Sequence, residues 1–566
     1  MMRIGRDWMV WRRFTLVFAL MSGCVGSSDS APLNNSITAD ELSVDLHFLS
    51  GDSMDGRLVG TPGVERAAEF IAARFDSLGL EPAGDAGSFY QSFNLVRFTL
   101  GGGDNVFSFR DGSSPPVSSG IGGEFYPLNF SGTGDVRGEL MFAGFGIVDP
   151  RIEYDDYAQG SVAGKVVMVL EREPGVEDPS SKFDGVVTSN ASTGWRKALN
   201  AQQRGAVGIL FVGDVHSKLS VEDFDRTSRN YWPKDERRIE RFSLEKWTDQ
   251  IYIPAVRISV QMAEKLVSSS GSTLQELALA SENPFGLGAI KIPGFVVSLQ
   301  TAVDRHLVPA RNILGLIRGS DPELATEVVL ITAHHDHNGS DGEEVFNGAD
   351  DDGSGTVALL EIAEAYSTAR ENSMNPQRSV LFAAWDAEER GLLGAWQYAE
   401  NPLVPLSKVV AVLNMDMIGR NEEVPEPESA NPGRFRGLSV QSSESNKNAI
   451  NILGQTYSAD MKEQVEIANQ SYGLDLKFRY DNNRSNLLRR SDHWPFLQVG
   501  VPALWFHTGL HPDYHTTNDI PELIEYEKME RIVKLVHQIS WQIANGKERP
   551  IFSLTERNNF LLSQGS

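Results

Sequence analysis

The sequence predicts an α/β protein: a mostly parallel mixed sheet covered by helices on both faces, interrupted by a small β-rich inserted domain. Three observations carry that expectation. Beyond Asn312, short apolar segments alternate with helix-like ones, the pattern of parallel strands joined by crossover helices. Between about Phe125 and Val297 the alternation gives way to short β-rich pieces. The chain's 566 residues are 41% hydrophobic and 22% charged, which suits two or three globular domains and excludes fibrous or wholly disordered architectures.

The elements follow in order. Arg3, Arg6, Arg12 and Arg13 precede an apolar run from Phe14 to Met21, then Ser22, Gly23 and Cys24, the single cysteine. A basic segment, a short apolar core and small residues make an export signal too short to span a bilayer permanently. Leu20 to Cys24 resembles a bacterial lipoprotein signal, with Met21 where that pattern prefers Leu. Residues 1–23 are therefore expected to be removed and Cys24 lipidated, placing the protein at a bacterial cell envelope; plain secretion is the alternative. Removing them deletes four Arg and one Asp from a formal charge of −25, leaving −28. Such a surface repels phosphate backbones, so no nucleic-acid partner is expected. One cysteine also excludes a disulfide framework and cysteine-based zinc sites.

Residues 24–40 read as a flexible tether and 41–124 as the first part of the main domain. There the spacing of Val64, Ala67, Ala68, Ile71, Phe75 and Leu78 predicts a helix over Pro62 to Gly79. The inserted domain, 125–297, contains the runs 140–142, 166–170 and 208–212 and a helix from Trp195 to Arg204. The main domain resumes over 298–548 with strands at 328–332, 380–384, 409–413 and 503–506 and helices at 356–365 and 394–399. Residues 549–566 form a tail. The stretch from Glu422 to Pro432 is of low complexity and reads as a surface loop.

Histidines show where the chemistry lies. Of 11, three are His334, His335 and His337, and four are His493, His507, His511 and His515. Predicted strands precede His334 and His507, and ligands of open α/β sheets bind at strand carboxyl ends. Acidic residues follow the same rule: Asp350-Asp351-Asp352 before a glycine-rich turn and a helix, Glu388-Glu389 after one strand, Asp416 after another. Taken singly, each has a plainer reading as a surface pair, a solvated turn or a helix N-terminus. Together they are the composition of a two-metal hydrolytic site.

Ala333-His334-His335-Asp336-His337, Gly348-Ala349-Asp350-Asp351-Asp352-Gly353-Ser354-Gly355, Ala387-Glu388-Glu389, Asn414-Met415-Asp416 and Tyr514-His515-Thr516-Thr517-Asn518-Asp519 resemble, in order, the sequence boxes of the co-catalytic di-zinc exopeptidases, metallopeptidase family twenty-eight. Met54-Asp55-Gly56-Arg57 and Gly60-Thr61-Pro62-Gly63 are similar to that family's N-terminal lead-in, and the inserted region resembles a protease-associated domain. The resemblance implies the zinc exopeptidase fold and two Zn2+ ions. His334 and Asp416 would hold one, Glu389 and His515 the other, and Asp351 would bridge them. It further implies Glu388 as general base, Asp336 as the group that orients His334, and Tyr514 as hydrogen-bond donor to an oxyanion, as in the glutamate carboxypeptidase branch. Here Ser491-Asp492-His493 lacks the preceding tyrosine of the aminopeptidase branches. The expected activity is that of an aminopeptidase acting on peptide substrates. Carboxypeptidase or glutaminyl cyclase chemistry, and a non-catalytic binding role, stay open. His335, His337, His493, His507 and His511 receive no role, and His216 reads as a surface residue.

Overall fold

The computed structural model describes residues 31–111, 115–213, 221–235, 237–426 and 434–564. The expected export signal, Cys24 and His216 lie outside them. Among the described residues no helix is long and apolar enough to cross a membrane.

The main sheet contains β1 (Tyr90–Leu100), β2 (Phe242–Leu244), β3 (Val303–Ile317), β4 (Val328–His334), β5 (Ser379–Trp385), β6 (Val409–Met415), β7 (Ala449–Leu453), β8 (Asp475–Lys477) and β9 (Ala503–His507). Their order is β2-β1-β3-β5-β4-β6-β9-β7-β8, and Glu81–Pro82 pairs with β3 as a tenth strand. Parallel pairing occupies the centre, β5-β4-β6-β9, while β1 and β3 pair antiparallel over 11 residues at one side. The central strands are buried along their whole length, as continuous Val/Ile/Leu/Ala/Phe runs require of a sheet covered on both faces.

Alternate residues face opposite layers. Val329, Ile331 and Ala333 of β4 pack with α1 (Ala39–Leu49), α2 (Pro62–Ser77), α3 (Gly355–Glu371) and α6 (Tyr526–Asn545). Val328 and Leu330 face α4 (Leu393–Glu400) and α5 (His493–Gln498). In α2, Pro62 at the first turn and the buried stripe Val64, Ala67, Ala68, Ile71 and Phe75 match the periodicity read from the sequence. Each central strand ends where its polar residues begin, so the edge beyond β4, β5 and β6 collects the side chains of interest.

The second sheet has eight strands in the order Val117–Ser119, Val106–Asp111, Ile290–Thr301, Gly134–Phe142, Val166–Leu170, Gly208–Val212, Ala255–Ile258, Phe125–Pro127. It draws on two strands that precede 125–297 and on one, Ile290–Thr301, that runs past its end, and the helices Gly194–Gln203 and Val260–Val267 accompany it. The chain leaves the main sheet at Leu100 and returns at Val303, which face each other in the β1–β3 ladder. One strand of the excursion, β2, pairs back onto β1. Asp184 to Thr188 touch the main domain: Val186 N–H donates to Asn482 Oδ1 (2.9 Å), Thr188 N–H to Asn486 Oδ1 (3.1 Å), and Tyr457 Oη–H to Asp184 Oδ1 (2.8 Å). Glu422, first residue of the low-complexity stretch, is fully buried and accepts from Tyr480 Oη–H (2.6 Å), so that stretch begins inside the fold.

Candidate metal centre

Every sequence-predicted ligand lies at or beyond the end of a central strand, or in the turn ahead of α3. His334 closes β4, Glu388 and Glu389 form the turn after β5, and Asp416 follows β6. Asp351 sits before α3 in an irregular turn opened by Gly348, whose φ is 56° and where a Cβ would lie 2.3 Å from the Asp351 carbonyl oxygen. His515 lies in the loop after β9 with φ 57°, and Ala387, just before the two glutamates, has φ 58°. Left-handed non-glycine residues persist where their surroundings over-determine them, and they gather at functional sites.

These residues converge. His334 Nε2 is 3.2 Å from Asp351 Oδ1, 3.8 Å from Asp416 Oδ1 and 3.7 Å from Glu388 Oε2. His515 Nε2 is 2.9 Å from Asp351 Oδ2 and 3.1 Å from Glu389 Oε2. Asp351 thus shows one oxygen to each imidazole. His337, which had no assigned role, stands on the second side: its Nδ1 is 2.8 Å from Glu389 Oε1 and 3.8 Å from Asp351 Oδ2. Two ligand sets emerge among the described residues, His334–Asp351–Asp416 and His337–Asp351–Glu389, each with its ligand atoms within 4.8 Å of one another.

The sets fit metal ions. His334 Nε2, His515 Nε2 and both nitrogens of His337 are buried without a well-formed hydrogen bond, an arrangement that costs free energy unless something else binds there. Separations of 2.8–3.8 Å bracket the edge of about 3.3 Å expected for tetrahedral ligands at zinc bond lengths of ~2.0–2.1 Å. Burial alone would raise the Asp351 carboxyl, but the His334 and His515 imidazoles outweigh it and hold it well below the usual carboxylate range. Burial would lower His515, yet Glu389 and Asp351 raise it to about 10. Glu388 goes the other way: burial lifts its carboxyl well above the ordinary value, against His334, and Asp416, Asp492 and Glu389 add to the rise.

A second layer fixes the ligands. Asp352 Oδ2 accepts from His334 N–H (3.0 Å) and its Oδ1 from Gly355 N–H (2.9 Å). Asp350 Oδ1 accepts from Gly419 N–H (2.6 Å). Of the three consecutive aspartates, one faces the centre and two anchor the main chain. Asp519 takes the N–H groups of Asp350 (2.9 Å) and Asp351 (3.1 Å), Ser491 Oγ–H donates to Asp416 Oδ2, and Asn338 Nδ2 donates to Glu389 Oε1 (2.9 Å). Asp336 differs in detail from the sequence expectation. His334 Nδ1 is nearer its carbonyl oxygen (3.1 Å) than its carboxylate (3.6 Å), because that carboxylate receives the Glu388 N–H (2.9 Å). Tyr514 stacks on His515, ring centroids 3.8 Å apart. Its hydroxyl is pushed well up by burial and by Asp351, Glu389 and Glu388. His335 and His493 are buried and belong to neither set, His507 Nδ1 lies 3.1 Å from the Asp416 carbonyl oxygen, and His511 lies 3.3 Å from Asp350 Oδ2.

Residues 312–540, which carry all of these groups, match the model described as Peptidase family M28. That match covers 229 of the chain's 566 residues. Among curated proteins the chain is similar to the probable glutamate carboxypeptidase AMP1 of Arabidopsis thaliana, 27% identical over 273 residues, 47% of this chain and 34% of that one. It is also similar to the aminopeptidase NAALADL1 of Mus musculus, 28% identical over 258 residues, 39% of this chain and 33% of that one. The match thus spans about a third of the length of these relatives. Among solved structures, an aminopeptidase from Aneurinibacillus sp. strain AM-1 aligns at 18% identity and a TM-score of 0.47, covering 92% of this chain and 98% of that chain.

Proposed function

We propose that the region matching the M28 model makes this chain a zinc-dependent exopeptidase, an aminopeptidase that removes N-terminal residues from peptides, with two Zn2+ ions held by His334, Asp351, Asp416, Glu389 and His515. The observation that supports it most is the Asp351 carboxylate, which presents one oxygen to each of two imidazoles. Zinc bound there would acidify a water and polarise the scissile carbonyl.

The chain's own residues do the rest. Glu388 takes a proton from the attacking water and returns it to the leaving amine, a role that suits a carboxyl raised by burial. Asp336 holds the Glu388 main chain, which keeps that carboxylate 3.7 Å from His334 Nε2. Tyr514 donates its hydroxyl to the oxyanion, and stacking on His515 limits its freedom. The inserted domain walls the substrate entrance; Arg238, which donates to the carbonyl of Asn338 (2.6 Å), and Arg489, which donates to that of Thr188 (2.6 Å), tie it to the loops around the centre. Carboxypeptidase chemistry is the second reading, favoured by the relative named a probable glutamate carboxypeptidase.

The Glu388→Gln variant tests the mechanism: it should keep both ions and lose turnover by about 10²- to 10⁴-fold. Near wild-type turnover ends the general-base assignment. One tightly bound ion with full activity ends the two-metal reading and favours cyclase-like chemistry. Aminoacyl-anilides against N-acylated dipeptides separate amino- from carboxypeptidase action. Deleting the inserted domain should alter the ratio of rates on long and short peptides. The chain is further proposed to be a lipoprotein anchored through Cys24 at the cell envelope, which detergent-phase partitioning of wild type against Cys24→Ala decides.

A further inference from the structure

Behind the centre lies a buried cation with no part in this chemistry. Arg57 is fully buried. Its Nε donates to the carbonyl of His335 (2.9 Å), Nη1 to those of Leu49 (3.0 Å) and Asn347 (2.7 Å), and Nη2 to that of Gly348 (2.8 Å). Three segments meet on one guanidinium: the end of α1, the His334–His337 loop and the turn leading into Asp351. The main chain strengthens the grip. His337 N–H donates to the Arg57 carbonyl (3.0 Å), Gly339 N–H to that of Gly56 (2.8 Å), and Leu58 bridges His337.

The segment is held in an unfavourable shape. Asp55, Gly56 and Arg57 have φ of 51°, 59° and 49°, three consecutive left-handed residues. At Gly56 a Cβ would sit 2.2 Å from the Gly339 carbonyl oxygen. Such a run needs strong partners to persist, and here the partners are the two ligand-bearing loops. Burial disfavours the cation, while the carboxylates of Asp519, Asp336, Asp351 and Asp352 favour it. A lysine ammonium cannot reproduce donation from three separate nitrogens to four carbonyls.

We propose that Arg57 is a positioning residue that sets the His334–His337 and Gly348–Asp351 loops at their metal-binding spacing before any ion arrives. The inference rests on the metal-centre reading above and adds to it that the site is preorganised from the N-terminal segment. A preorganised site binds tightly because its ordering cost is met during folding rather than on ion capture.

The test uses the full chain with zinc as probe, in wild type, Arg57→Lys and Arg57→Gln. Zinc affinity is read by competition with a chromophoric chelator, and melting temperature is measured with and without zinc. Both variants should bind zinc about 10- to 100-fold more weakly, and zinc should raise their melting temperature less than it raises that of wild type. In zinc-free wild type, the amides of His337 and Gly339 should resist hydrogen exchange as well as they do with zinc. Unchanged zinc affinity with an equal loss of melting temperature in both states would make Arg57 a stability residue only and overturn the proposal. Fast exchange in the zinc-free wild type overturns it too, even if neither variant folds, because the ions would then order the loops. A wild-type chain that binds no zinc overturns the metal-centre reading itself.

Discussion

Four parallel strands stand at the centre of each sheet: β5, β4, β6 and β9 in the main one, and Gly134–Phe142, Val166–Leu170, Gly208–Val212 and Ala255–Ile258 in the inserted one. Both bury charged groups close to strand ends. In the inserted sheet three of these groups are well partnered. Asp156 accepts from the N–H groups of Phe145 (3.1 Å), Ile147 (3.0 Å) and Leu287 (3.2 Å) and from Tyr154 Oη–H (3.0 Å). Glu173 takes both donors of Ser189, and Lys197 Nζ donates to the Leu170 carbonyl (2.9 Å). At the main sheet, ring nitrogens of His334, His337 and His515 crowd against carboxylates without a well-formed hydrogen bond. The same architecture therefore carries well-partnered carboxylates beside one sheet and a cluster of imidazoles and carboxylates shaped for a ligand beside the other.

Four experiments would break or sharpen that contrast. The largest effect belongs to Asp351→Ala, which should abolish turnover and lose zinc on dialysis; metal analysis showing both ions retained would detach those ring nitrogens from metal binding. Asp156→Ala strands four buried donors and should cost about 3–5 kcal/mol of unfolding free energy, with zinc content unchanged. A loss of zinc there would mean that the two sheets are coupled. Chelation of wild type should destabilise the main domain by about 2.7 kcal/mol if zinc was present at 100 times its dissociation constant, read as a fall in melting temperature. A chelator-insensitive melting temperature would argue against metal binding to the folded state.

The smallest effect probes a third kind of buried carboxyl, neither well partnered nor left for a ligand. Glu361 on α3 is raised to about 8 by burial and by Glu364, Glu41 and Asp45, against Arg74. A carboxyl raised in the fold contributes stability below its unfolded value of 4.5 and loses it as pH climbs through 8. Glu361→Gln should thus match wild type near pH 4.5 and exceed it by about 1–3 kcal/mol at pH 9. Denaturation curves at both pH values decide it; a pH-independent difference would assign the effect to packing.

Much of the fold and the centre was legible because the signals are local. Apolar runs mark β4, β5, β6 and β9, and His334, Glu388, Glu389 and Asp416 sit at or just after strand ends. What was not legible acts at a distance. Asp519 works through the amides of Asp350 and Asp351, and Ser491 reaches Asp416 from 75 residues away. His337 shares a pentapeptide with His334, but only the turn after β4 brings its Nδ1 to Glu389. Arg57 carries no ligand chemistry of its own, and its partners are carbonyl oxygens, which no residue type announces. Two strands of the second sheet, Val106–Asp111 and Val117–Ser119, precede 125 and were not legible because they are short and broken by serine or charge, and so lack a continuous apolar signature.

The adjacency of Leu100 and Val303 in one ladder has a consequence for the order of assembly. About 200 residues separate them, which a ribosome adds in ~10–40 s at ~5–20 residues per second. Through that interval β1 exists without its main partner, and Phe93 and Leu95, buried against the main core in the finished protein, have no surface to cover them. The inserted sheet, by contrast, gains its Ile290–Thr301 strand just before β3 emerges. Long-range pairing of this kind is slow and leaves a sticky intermediate. The chain therefore has every strand of its second sheet before β1 meets β3, and β4 to β9 follow later still.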